Sequence, residues 1–240
     1  EVKKVTGTKA CPVEIKLDAP EACPVFAGAV IVGVKNGPSP DWIQQRLKAV
    51  GIQPKSLLVD VTNYISLDRA RPLHAYDAAK LSGPVVARFG RKGEKLEALD
   101  GKSYPVGEEM CVIADDSGVI GLGGVMGGQS TAVSDETVDV FLESAWFDPL
   151  RTARTGRATG IHSDARYRFE RGVDPHSCMD GLNLAIALIV EYGGGVVSKP
   201  TLAGEAPVNP NKVTFYPADV ERLTGLTVKP ADMRRMLKDL

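Results

Sequence analysis

Residues 138–147 read VDVFLESAWF. Val138, Val140, Leu142 and Trp146 could all face a core, and the segment VDVFL (138–142) is the apolar, β-branched kind of run that makes a strand. Inside it sits one carboxylate, Glu143, costly to bury without a partner. Working outward, runs of the same kind recur at AGAVIVGV (27–34), SLLVD (56–60), VVARF (85–89) and MCVIAD (110–115). Turn signals separate them: DG at 100–101, DDSG at 115–118, and the glycines of 121–128. That spacing predicts antiparallel or mixed sheet rather than regular βαβ units. Two helices accompany the strands. Over 40–50, Ser39 can cap, Pro40 suits the first helical position and Gly51 can close the end. Over 174–195, Asp174 and Pro175 start an apolar stretch that three glycines end. The expected class is α/β of the α+β type, with a mixed, largely antiparallel central sheet and flanking helices.

SKPTLAGEAPVNPNK (198–212), rich in Pro, Gly and Asn, reads as a linker. Beyond it the tripeptide PAD occurs twice, at 217–219 and 230–232, each read as a helix start with Pro in the first turn. One domain is therefore expected over 1–204, and the start of a small second α/β module over 205–240. The first residue is not Met and the last stretch reads as a helix without a stop signal, so a piece of a longer polypeptide is expected.

The 240 residues suffice for a sizeable core, and 43% hydrophobic with 25% charged residues is globular composition. A net charge of −1 gives no global field toward nucleic acid or a membrane. No apolar run approaches the roughly 20 residues of a membrane helix, and the opening EVKKVTGTK has no signal-peptide core. Cys11, Cys23, Cys111 and Cys178 form no CxxC pair, so reduced thiols are expected. With three histidines and no HExxH, no metal site is expected.

Four constellations could carry chemistry. RPLHAYD (71–77) holds His74, near the end of an expected helix or loop, either a general base or water-orienting group or a histidine holding a structural hydrogen bond. GLGGVMGGQS (121–130) fails the GxGxxG, P-loop and GxSxG patterns; it is either a tight hairpin or a loop whose free N–H groups face a ligand. Glu143 is either a ligand acceptor or the partner of a nearby arginine. The stretch 151–172 carries Arg151, Arg154, Arg157, Arg166, Arg168 and Arg171, for phosphate contacts or for salt bridges with Asp164, Glu170 and others.

Together, DVTNY (60–64), RPLHAYD, LDG (99–101), IGLGGVMGG (120–128), FLESAWFDP (141–149) and HSDARYRFERGVDP (162–175), in this order, resemble the central part of bacterial phenylalanyl-tRNA synthetase β subunits. The resemblance is dense from about 40 to 195, and the tail resembles the start of that subunit's next module. It implies an editing module that hydrolyses tyrosine wrongly attached to phenylalanine tRNA, with amino-acid activation left to an α subunit. It implies a cytoplasmic protein with no cofactor in this chain, ATP and Mg²⁺ in the holoenzyme, an α2β2 heterotetramer as assembly and no membrane. His74 matches the family's editing histidine, and Ser163 and Ala165 match pocket-lining positions. Thr62, Asn63 and Pro72 are expected to support the same wall.

The resemblance also suggests why Glu143 is there. An apolar pocket rejects an added hydroxyl only about a hundredfold, whereas a site built to hydrogen-bond that hydroxyl discriminates by about 10⁴–10⁵. Glu143 would accept the phenol proton, and a backbone N–H at Gly124 or Gly127 would donate to the same oxygen. His74 would orient the water or the substrate, and no covalent intermediate is expected. Two residues depart from the family pattern: Gln53 where Arg is common, weakening any phosphate or carboxylate contact, and Ser163 where Thr is common, loosening the pocket by a methyl. The competing expectation is a non-catalytic module that docks tRNA or forms a subunit interface, with Glu143 locked to an arginine and the pocket filled.

Overall fold

The computed structural model describes residues 7–208 and 213–239. The opening EVKKVT, part of the leader reading, and 209–212 of the expected linker lie outside the described residues. In chain order the first elements are β1 (Ile15–Leu17), β2 (Val25–Val32), α1 (Asp41–Ala49), α2 (Leu57–Arg69), β3 (His74–Asp77), β4 (Val85–Phe89), β5 (Lys95–Glu97), β6 (Ser103–Pro105) and β7 (Cys111–Asp115). Then come β8 (Gly118–Leu122), β9 (Met126–Gly127), β10 (Val140–Trp146), α3 (Pro149–Thr159), α4 (Asp164–Phe169), α5 (Cys178–Gly193), β11 (Val196–Val197) and β12 (Thr201–Gly204). Two helices follow, α6 (Pro217–Thr224) and α7 (Pro230–Asp239), each opening on a PAD proline.

The strands form a mixed, largely antiparallel arrangement laid out as two sheets. One has the order β1-β4-β7-β8-β9, with β1 parallel to β4 and the rest antiparallel. The other runs β11-β2-β10-β3, antiparallel throughout, with β12 also on β2. A third, two-stranded sheet is the hairpin β5-β6, whose end bridges Ala98 to Gly128 beside β9.

Strand alternation explains how β2 and β10 serve two cores. Ala27, Ala29 and Ile31 of β2, with Val140 and Leu142 of β10, pack against Ile43 and Leu47 of α1, Leu58, Val61 and Ile65 of α2, and Leu182, Ile186 and Ile189 of α5. The alternate residues Phe26, Val30, Phe141 and Ala145 meet Val85, Ala87, Cys111, Ile113 and Ile120 of the other sheet. Glu143 lies in the second register, so it points between two sheets. Val138 precedes the strand and is 56% exposed, contrary to its expected place in the core; Trp146, at the strand's end, is only partly buried.

Three local expectations are corrected. SLLVD is not a strand but the first turn of α2. Its Leu57, Leu58 and Val61 continue with Ile65 at helical spacing, and burial of that stripe outweighs the local β-branched content. Ser39 does not cap α1: Pro40 holds the N-cap position, and the Ser39 hydroxyl donates to Asp60 at 2.6 Å. Within the expected linker, 201–204 pairs with Val25–Gly28 of β2, because that stretch of the sheet edge would otherwise leave backbone groups unpaired.

His74 begins strand β3, rather than ending a helix or loop. The chain divides into two compact units after Pro207. In the second, α6 ends on Gly225 in the left-handed region, and α7 buries Met233.

Candidate functional site

β3 lies antiparallel to β10 with His74 opposite Glu143 and Tyr76 opposite Phe141. Residues two apart share a face, so His74, Tyr76, Phe141 and Glu143 all point toward the other sheet. Glu143 is 7% exposed, and its Oε2 accepts a hydrogen bond from the Tyr76 hydroxyl at 2.6 Å. The imidazole of His74 meets the Tyr76 ring edge to face, centroids 4.4 Å apart.

The glycine run is a hairpin, with Gly121 opposite Gly127 and Leu122 opposite Met126. It also covers His74, so the two readings of this stretch are compatible. A Cβ on Gly127 would fall 2.3 Å from His74 Cε1 and 2.5 Å from Nε2, so only glycine lets the hairpin come this near. Gly124 turns the chain at φ +70°, against Phe147 and Phe169. The Gly123 and Val125 amides are engaged by the carbonyls of Cys111 and Leu122.

Helix α4 closes the remaining side. Ser163 caps it, accepting from the Arg166 amide, while its hydroxyl donates to the Val125 carbonyl at 2.6 Å and so ties the helix to the hairpin. Ala165 and Phe169 face inward, Phe169 packing edge to face on Phe147 at 5.2 Å. The result is a cavity of about 70 Å³, lined among others by Pro72, His74, Tyr76, Gly124, Gly127, Glu143, Phe147, Ala165 and Phe169. That is room for several waters.

Six expected site residues thus meet at one cavity: His74, Glu143, Gly124, Gly127, Ala165 and Pro72. Ser163 acts one layer behind it, as the cap described. Thr62, whose hydroxyl donates to the Val59 carbonyl, and Asn63 lie on α2 and do not line it. Tyr76, Phe147 and Phe169 were not expected there. Reading HAYD as a strand would have placed Tyr76 on the face of His74.

Burial pushes the Glu143 carboxyl up to about 7, against the pull of the Tyr76 hydrogen bond. It drives His74 down to about 4, so the imidazole is neutral at neutral pH. Its Nε2 is buried without a hydrogen-bond partner among the described residues. No arginine of 151–172 pairs with Glu143 among the described residues. Arg151 pairs with Glu109, Arg166 and Arg171 with Glu170, and Arg168 with Asp164. The pocket therefore offers a desolvated acceptor, a neutral imidazole with a spare nitrogen, and close backbone walls.

The B3/4 domain family model matches residues 22–194. The chain is 48% identical over 239 residues to a phenylalanine–tRNA ligase β subunit of Mesorhizobium japonicum, covering 100% of this chain and 30% of that protein. It is 51% identical over 235 residues to the protein of the same name from Novosphingobium aromaticivorans, covering 98% of this chain and 30% of that one. The chain spans about 30% of the length of these curated relatives. The crystal structure of an N-terminal fragment of the phenylalanyl-tRNA synthetase β-subunit from Pyrococcus horikoshii has a similar fold, with a TM-score of 0.55 at 15% identity, covering 98% of this chain and 65% of that one.

Proposed function

The chain belongs to the B3/4 domain family, and on that premise we propose that it is the editing part of a phenylalanine–tRNA ligase β subunit, hydrolysing tyrosine wrongly esterified to phenylalanine tRNA. The observation that carries this reading is Glu143, a buried carboxyl facing a cavity with no cation beside it among the described residues. A buried acceptor of that kind gains a partner from a phenol and is left unpaired by a phenyl ring, the discrimination an apolar pocket lacks. An amide of Gly124 or Gly127 donates to the same phenol oxygen.

The ester bond lies beyond the amino acid's α-carbon, toward the ribose. A water there attacks the carbonyl carbon, the bond to the ribose oxygen breaks, and that oxygen takes up the proton. Neutral His74 orients the water or the substrate through its spare nitrogen. The cavity is small for a tyrosine side chain, so seating one requires its waters to leave and its walls to give.

The assembly proposed with this reading is an α2β2 heterotetramer in the cytoplasm, whose α subunit activates phenylalanine with ATP and Mg²⁺. Among the described residues no group of three or more His, Cys, Asp and Glu is set to hold a metal, and no helix is long and apolar enough to cross a membrane. The alternative, a non-catalytic docking module, would have Glu143 locked to an arginine; the pairing of Arg151, Arg166, Arg168 and Arg171 with other carboxylates favours the editing reading.

The test follows release of tyrosine from tyrosine-charged phenylalanine tRNA by the assembled synthetase, wild type and Glu143→Ala. Fast release by the wild type and slow release by a folded variant supports the reading. Equal rates would make Glu143 structural.

A further inference from the structure

The pocket contains a tyrosine of its own. The Tyr76 phenol donates to Glu143 Oε2, the contact that the editing reading gives to a substrate phenol. Tyr76 is 1% exposed and held on all sides. His74 abuts its ring, Phe141 packs at 6.0 Å between centroids, and Gly121 passes so near that a Cβ there would lie 3.8 Å from its hydroxyl. The donor is therefore fixed in place before any ligand arrives.

We propose that Tyr76 is a positioning residue for phenol recognition: it occupies one oxygen of Glu143, leaves the other for the cavity and keeps the carboxyl an acceptor. This rests on the editing reading above. An ionised carboxylate only accepts and has lone pairs for both phenols, whereas a protonated one also presents a donor and loses its selectivity for an incoming O–H. Burial works toward protonation here, and the hydrogen bond from Tyr76 works against it.

Among the described residues no other group facing Glu143 supplies that opposition. His74, across the ladder, is neutral. The buried thiols of Cys23 and Cys111 are pushed up and stay protonated. Asp115 bears on Tyr76, not on Glu143. The glycine hairpin and the inward residues of α4, Ala165 and Phe169, carry no charge.

The experiment measures hydrolysis of tyrosine-charged phenylalanine tRNA by the assembled synthetase across neutral and alkaline pH, corrected for uncatalysed hydrolysis. Wild type, Tyr76→Phe and Glu143→Ala are compared. Tyr76→Phe keeps the ring and removes only the donor. Its rate profile should move to higher pH by about one unit, giving about a fivefold loss at pH 7 that is recovered in alkali. Installing 3-fluorotyrosine at position 76, a stronger donor, should move the profile the other way, and this arm decides the matter if Tyr76→Phe does not fold.

A Tyr76→Phe profile superimposable on wild type, or lowered equally at every pH, overturns the proposal while leaving the editing reading intact, provided that Glu143→Ala is slow. An unmoved fluorotyrosine profile overturns it likewise. If Glu143→Ala releases tyrosine as fast as wild type, the editing reading fails and the role given to Tyr76 falls with it.

Discussion

Gly127 lies against the imidazole of His74 so closely that a single methyl at 127 would overlap the ring, 2.3 Å from Cε1. Gly127→Ala should displace His74 without straining the backbone. Tyrosine-ester hydrolysis should fall about 10²-fold, with a melting temperature near wild type. A large fall in melting temperature with unchanged hydrolysis per folded molecule would show that the hairpin only packs.

His74→Ala removes the spare nitrogen but leaves Glu143 and the glycine walls. Hydrolysis should slow by about 10²-fold or more, while binding of tyrosine stays within a few-fold of wild type. Equal loss of both would place His74 in recognition rather than in water handling.

His74 and Glu143 also oppose each other in their effect on stability against pH. Glu143 is raised to about 7 from an ordinary 4.5, so the folded state holds its proton where the unfolded state has lost it, and stability falls as pH rises through that window. His74 is lowered to about 4 from 6.5, so the unfolded state binds the extra proton, and stability rises with pH there. Each slope is about 1.4 kcal/mol per pH unit, and where the windows overlap they cancel. Denaturant unfolding should show Glu143→Gln gaining stability, relative to wild type, as pH rises through the overlap, and His74→Gln losing it. Parallel curves for all three proteins would contradict the burial of both groups.

Arg71 is 0% exposed and donates to the Ala145 carbonyl of β10, the Asp174 carbonyl and the Ser177 hydroxyl. It fastens the entry of α5 to the end of β10. Arg71→Met takes the donor from the buried Ala145 carbonyl and empties a fully buried site, and should cost about 3 kcal/mol in denaturant unfolding. A cost below about 1 kcal/mol would mean that water replaces the guanidinium.

On α3, Arg154 and Arg157 are exposed, three residues apart, and form no ion pair among the described residues. If tRNA phosphates are met on this face, replacing either by Ala should reduce the salt slope of tRNA binding by about 1. Arg168→Ala, whose side chain already pairs with Asp164, should leave the slope unchanged. Equal slopes throughout would place the RNA elsewhere.

Much of the frame was legible because strong local signals agreed with the tertiary solution. VVARF became β4, MCVIAD without its Met110 became β7, and the apolar stretch closed by glycines became α5. SLLVD misled because five residues cannot distinguish a strand from the first turn of a helix whose stripe continues to Ile65. At the site, Glu143 stood out as a charge in an apolar run, and the motifs supplied His74 and the hairpin glycines. Tyr76 was not legible, because its importance depends on which residue lies across the ladder, a long-range pairing that no local pattern encodes. Phe147 and Phe169 were hidden for the same reason, being core residues by type and pocket walls by placement.

Two short segments pair with one flank of β2, β12 along Val25–Gly28 and β11 along Ile31–Val32. Between them they turn an eight-residue strand, which would otherwise present a row of open backbone groups, into an interior one. The residues that follow α5 are thus the molecule's guard against self-association. A chain shortened to end before Thr201 would keep every pocket residue and still uncover a template for pairing with its own copies, so its fault would appear first as aggregation rather than as lost chemistry.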